Sequence, residues 1–106
     1  MIRIFPNYES LSHAAVDLII EQSQKAVHDR GLFSLVLSGG ETPRRAYELL
    51  SQNAIRNKIP WSKVSIFWSD ERCVPPDDPR SNEGMAREAF IDRVPIPPDQ
   101  IHPIRC

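Results

Sequence analysis

The apolar positions of this chain follow two periods in turn. Residues 1–5, Met-Ile-Arg-Ile-Phe, alternate between apolar and polar and stop at Pro6, which suits a short strand closed by a residue without an N–H. Leu11, Ala14, Ala15, Leu18, Ile19, Ala26 and Val27 then recur at helical spacing, with Gln22 as the polar interruption and Gly31 as the stop. Leu32 to Leu37 is almost continuously apolar, the pattern of a strand buried on both faces of a parallel sheet. Thr42 and Pro43 read as N-cap and first residue of a second helix, whose apolar stripe is Ala46, Tyr47, Leu49 and Leu50. Val64 to Trp68 reads as the next strand.

The second half is punctuated by proline. Pro75, Pro76 and Pro79 with Asp77 and Asp78 predict a stiff, exposed loop, and Ser81 or Asn82 caps a helix through Met85, Ala86, Ala89 and Phe90 that ends before Pro95. Pro97 and Pro98 form a turn, and Ile101 to Ile104 starts a further strand that Pro103 confines to an edge or a strand end. Neither an internal repeat nor a low-complexity segment is present.

A strand, a helix and a strand with about 30 residues between strand starts make a right-handed βαβ unit. The predicted fold class is therefore α/β, a Rossmann-like parallel sheet with flanking helices. With 106 residues the chain suffices for one small domain but is short for a complete doubly wound enzyme, so residues 1–106 read as a single or an incomplete doubly wound domain. Parallel strands place their C-terminal ends on one edge. Ser38 to Thr42 and Asp70 to Arg72 should lie side by side there, where open α/β sheets bind ligands.

Charge narrows the class of ligand. The formal net charge is −1 with both signs interspersed, which offers no basic field for a nucleic acid or an anionic membrane. No run approaches the roughly 20 apolar residues of a membrane span, and the N-terminus lacks a signal-peptide pattern, so a cytoplasmic protein is expected. Cys73 and Cys106 show no metal-ligand spacing and are expected to be reduced. No metal or cofactor is called for.

Any anion must then be small and met locally. Gly39 and Gly40 remove the Cβ atoms that would hold a ligand off the backbone, and Thr42-Pro43 opens a helix whose free N–H groups attract phosphate. The same spacing also fits a plain strand-to-helix turn, since the Lys of a Walker loop and the third Gly of a dinucleotide fingerprint are missing, and Glu41 opposes phosphate unless it points to solvent. In the second loop Asp70 is placed to orient a hydroxyl or a water, and Arg72 to form a bidentate pair with phosphate or carboxylate. Alternatively the two form a structural ion pair. Glu71, leaving the strand in the opposite direction, should be exposed or support its neighbours.

Ser38-Gly-Gly-Glu-Thr-Pro43, Trp68-Ser-Asp-Glu-Arg72 with Val74-Pro75, and Ser81-Asn82 after the acidic proline loop together resemble the N-terminal half of 6-phosphogluconolactonases. The resemblance runs from the first strand to Ile104. It implies a sugar-phosphate site in the fold shared with glucosamine-6-phosphate deaminases. In that light Gly39, Gly40 and Thr42 contact the ligand, Asp70 positions sugar or water, Arg72 binds an anionic group and Asn82 supports the loop. The family's catalytic histidine lies in a Gly-Asp-Gly-His-type segment of its second half, and His13, His28 and His102 do not match it. The general base is therefore not expected in this chain, which reads as the N-terminal half of a longer lactonase-like domain with very low activity alone. Two alternatives stand beside this: a deaminase or isomerase, disfavoured by Arg72 where an aromatic residue is expected, and a non-catalytic fragment that binds sugar phosphates or self-associates through an unfinished sheet.

Overall fold

A computed structural model describes residues 7–105, without the side chains of Tyr8, Glu41 and Thr42. The strand expected over residues 1–5 lies outside the described residues. Among those described, three parallel strands, β1 (Phe33–Leu37), β2 (Val64–Trp68) and β3 (Ile101–His102), form a sheet in the order β1-β2-β3. Four α-helices accompany them: α1 (Tyr8–Arg30), α2 (Glu41–Leu50), the single turn α3 (Asn53–Arg56) and α4 (Asn82–Ala89).

Strands added in sequence order by right-handed crossovers place their connecting helices on one side of a sheet. The core follows that rule. Leu37, Val64, Ile66 and Trp68 share one cluster with Val16 of α1, Tyr47 and Leu50 of α2, and Ala86 and Ala89 of α4. The ring of Phe90, fully buried, lies tilted against those of Tyr47 and Trp61, with centroids 5.5 Å and 5.9 Å away. Among the described residues the other face is bare: Ser34, Val36, Phe67 and His102 are exposed, Val36 at 60%. The register sets Val36 opposite Phe67 and Phe67 opposite His102, whose ring stacks on Phe67 at 4.7 Å.

This corrects the expectation that Leu32 to Leu37 is buried on both faces. β1 buries alternate residues only, and Leu32 precedes it, half exposed. The inward face of α1 is also rotated from the expected one. Ala26 is buried and Ala15 and Ile19 pack against the core as expected, but Leu11 and Leu18 are exposed, whereas Ser12, Val16 and Ser23 are buried. Small polar residues hid that face, and Ser23 satisfies its hydroxyl on the Ile20 carbonyl at 3.0 Å, which lets it sit in the core. β3 ends at His102, one residue before Pro103, as proline at a strand end requires.

Candidate functional site

The C-terminal ends of β1 and β2 meet as the topology demands. Leu37 pairs with Trp68, and the Ser69 N–H continues the ladder to the Leu37 carbonyl at 2.9 Å. The first loop leaves at Ser38, whose N–H and C=O are both bonded at 3.0 Å by the buried Tyr47 hydroxyl. Burial pushes the Tyr47 phenol above its ordinary pKa, and the bonds to Ser38 only partly offset this. Sequence reading placed Tyr47 in an apolar stripe and missed the hydroxyl that fixes the loop.

Gly40, not Thr42, is the N-cap of α2, with a φ of +100° that favours glycine, and the helix begins at Glu41. Thr42 thus lies inside the first turn, and its side chain is outside the described residues. Proline at the third helical position lacks an N–H that the helix would leave unpaired anyway, which allows the earlier start.

Asn82, first residue of α4 and buried, joins the two loops. Its Nδ2 donates to the Asp70 main-chain carbonyl at 3.1 Å, with Asp70 Oδ1 at 3.5 Å, and its Oδ1 accepts from Arg72 Nη1 at 2.8 Å. A Cβ on Gly39 would fall within that same carboxamide. Asp70 and Arg72, both exposed, are therefore linked through Asn82. Arg72 Nη1 also donates to the Arg80 carbonyl at 3.2 Å.

Glu71 is half-buried and supports its neighbours. Oε1 accepts from the main-chain N–H of Arg72 at 2.9 Å and of Asn82 at 2.7 Å; Oε2 accepts from the Glu83 N–H at 2.7 Å and the Ser81 hydroxyl at 3.1 Å. Burial raises its pKa, but the N–H groups of Glu83, Asn82 and Arg72 and the Ser81 hydroxyl outweigh that and hold it below the usual carboxylate value. Ser81 caps α4, accepting from the Gly84 N–H at 3.0 Å. A cleft of about 310 Å³ adjoins this loop, with Arg72, Val74, Pro76, Ile104 and Arg105 in its wall.

Cys73, beside Arg72, is disulfide-bonded, against the expectation of reduced thiols. Spacing along the chain does not encode such a proximity. His13 and His28 lie on α1 beside Glu9 and Asp29, and His102 lies on the bare face of the sheet, so none of the three joins the loops. Among the described residues no group of three or more His, Cys, Asp or Glu side chains is arranged for a metal ion, and no helix is long and apolar enough to cross a membrane.

Comparison with known proteins gives one consistent result. Residues 6–106 match the family described as glucosamine-6-phosphate isomerases/6-phosphogluconolactonase. A 6-phosphogluconolactonase of Nostoc sp. is 42% identical over 103 residues, 97% of this chain and 41% of the relative. The crystal structure of a 6-phosphogluconolactonase from Shewanella baltica superposes with a TM-score of 0.80 at 33% identity, over 96% of this chain and 42% of that one. A monomeric glucosamine-6-phosphate deaminase shares the fold, with a TM-score of 0.75 at 20% identity over 92% and 39%. The chain spans about two fifths of the length of the curated relatives it matches. With the match running over residues 6–106, the chain belongs to the glucosamine-6-phosphate isomerase/6-phosphogluconolactonase family.

Proposed function

We propose that this sheet edge is the substrate-gripping part of a 6-phosphogluconolactonase-type site, serving hydrolysis of 6-phosphoglucono-δ-lactone to 6-phosphogluconate. What carries the reading is the convergence of Gly39, Asp70, Arg72 and Asn82 in a family whose relatives bear that name. Gly39, Gly40 and Thr42 meet the ligand, Arg72 takes an anionic group by its planar fork, and Asp70 orients a sugar hydroxyl or the water. Asn82 keeps Asp70 and Arg72 in fixed relation. A cleft of about 310 Å³ beside Arg72 is of the size of small-molecule sites.

In the reaction, water attacks the lactone carbonyl while a base takes its proton. The acyl carbon–oxygen bond of the ring then breaks, and the ring oxygen leaves as a hydroxyl. Neither metal nor cofactor is required. The reading assigns the base to no residue of this chain, which carries the grip of a longer lactonase-like domain of the cytoplasm. The chain alone should therefore bind better than it turns over.

Titration of the 106-residue chain with 6-phosphogluconate, followed by tryptophan fluorescence and thermal melting, tests the reading. At ten times the dissociation constant the native state gains about 1.4 kcal/mol, a rise of roughly 4–8 °C for a domain of this size. No response by either probe overturns it, and ammonia release from glucosamine 6-phosphate would transfer the site to the deaminases. The bare row Val36, Phe67 and His102 favours a second reading, in which the chain pairs with a copy of itself through that face.

A further inference from the structure

We propose that Glu71 is a positioning residue for this site: its carboxylate sets the distance between Asp70 and Arg72 by holding the first turn of α4, and so Asn82, against the second loop. The inference rests on the proposed sugar-phosphate site for its functional consequence, but its geometry stands independently.

A carboxylate has two oxygens, and here each accepts two hydrogen bonds. One of the four donors is the Arg72 N–H, within the loop itself; the others, the N–H groups of Asn82 and Glu83 and the Ser81 hydroxyl, belong to the start of α4. Glu71 therefore staples the strand end to a helix that begins 11 residues later. A helix start is the favourable place for a negative charge, and the first two N–H groups of α4 have no partner within the helix. Ser81 satisfies the third, at Gly84. The start of α4 is closed from inside the protein.

Asn82 is the link from this staple to the site. Its main-chain N–H is held by Glu71 at 2.7 Å, and its carboxamide spans Asp70 and Arg72. The carboxamide has little freedom to compensate for a shift of its backbone, because Gly39 closes against it. A displacement of the α4 start therefore passes directly to both exposed groups. Glutamine in place of Glu71 keeps the size but removes the charge that strengthens all four bonds, and its NH2 group faces at least one main-chain N–H, which breaks that bond outright.

The test compares the full chain with Glu71→Gln, Asn82→Ala and the double variant, by heteronuclear NMR and by 6-phosphogluconate titration. In E71Q the Asn82 and Glu83 amide protons should move upfield and exchange faster, the Asn82 carboxamide resonances should shift, and those of Leu50 and Phe90 in the core should stay. Affinity for 6-phosphogluconate should fall roughly tenfold in E71Q and in N82A, with no further loss in the double variant, because both act through one carboxamide. Additive losses, or Asn82 carboxamide resonances unmoved in E71Q, overturn the proposal. If E71Q does not fold, Glu71→Asp keeps the charge one methylene short and is judged by the same resonances. If the unaltered chain does not bind 6-phosphogluconate, the sugar-phosphate reading falls, while the resonances still decide the role of Glu71.

Discussion

Gly39 and Asn82 are in direct contact, so close that any side chain at 39 would occupy the space of the Asn82 carboxamide. Gly39→Ala should therefore push the amide away and cost about 1–3 kcal/mol in urea unfolding, as overpacking does. In an Asn82→Ala background most of that cost should vanish. Gly40→Ala is the control: its Cβ meets open space, but its φ of +100° strains any other residue by about 1–3 kcal/mol, and Asn82→Ala should give no relief.

Tyr47→Phe keeps the ring against Phe90 and removes only the hydroxyl that serves Ser38. The expected loss is about 1–3 kcal/mol, the range for part-buried groups deprived of their partner. Hydrogen exchange should quicken first at the Ser38 amide, because Tyr47 is its acceptor. Unchanged exchange there would mean the hydroxyl does not hold the first loop.

Acid should loosen the second loop. Glu71 titrates below the ordinary carboxylate value in the folded chain, so the unfolded chain binds the proton more readily. Its stabilising contribution is complete above the unfolded pKa of about 4.5 and is lost as pH falls through the lower, native one. Asp78, held at about 2 by the side chain and main-chain N–H of Arg80, and Glu9, lowered by Arg45, act in the same direction. Glu71→Gln should flatten the acid limb of a stability–pH curve below about pH 4.5, and an unchanged limb would contradict the assignment.

Arg72 and Arg80 share a loop but differ in what is left to offer a ligand. Arg80 is committed to Asp78 by two side-chain hydrogen bonds of 3.0 Å, whereas the guanidinium of Arg72 donates to Asn82 and to the Arg80 carbonyl through Nη1. Arg72→Ala should weaken 6-phosphogluconate by at least tenfold, the scale of one hydrogen bond to a charged group, while Arg80→Ala leaves it unchanged. Arg72→Lys should fall between, since it keeps the charge but loses the fork. Equal losses in R72A and R80A would show general electrostatics rather than a site.

The bare sheet face makes its own prediction. Sedimentation of the chain should show concentration-dependent association, and Val36→Lys with Phe67→Thr should reduce it, since both positions project from the face opposite the core. A monomer at all concentrations would remove the self-pairing reading.

Much of this arrangement was legible along the chain, for reasons that differ by element. The strands at Phe33 and Val64 and the capped start at Ser81 rest on local patterns, and parallel topology alone brings Ser38 beside Ser69. The inward face of α1 is hidden in the sequence because Ser12 and Ser23 are polar by type but small enough to be buried. The exposure of Val36 is not encoded in its type, because an apolar residue need not be covered. Glu71 was legible only as a residue off the ligand side. Its four donors come from segments up to 12 residues away, and the only clue on the sequence is a helix start near an acidic strand end.

Glu71 also gives the sheet edge a polarity. Two helices present their starts to this edge, and one of them already carries a built-in negative charge. An anionic group therefore finds the start of α4 already occupied, because its first two N–H groups hold the Glu71 carboxylate. The pole of α4 is thus neutralised by the protein's own side chain, with no need of a bound anion.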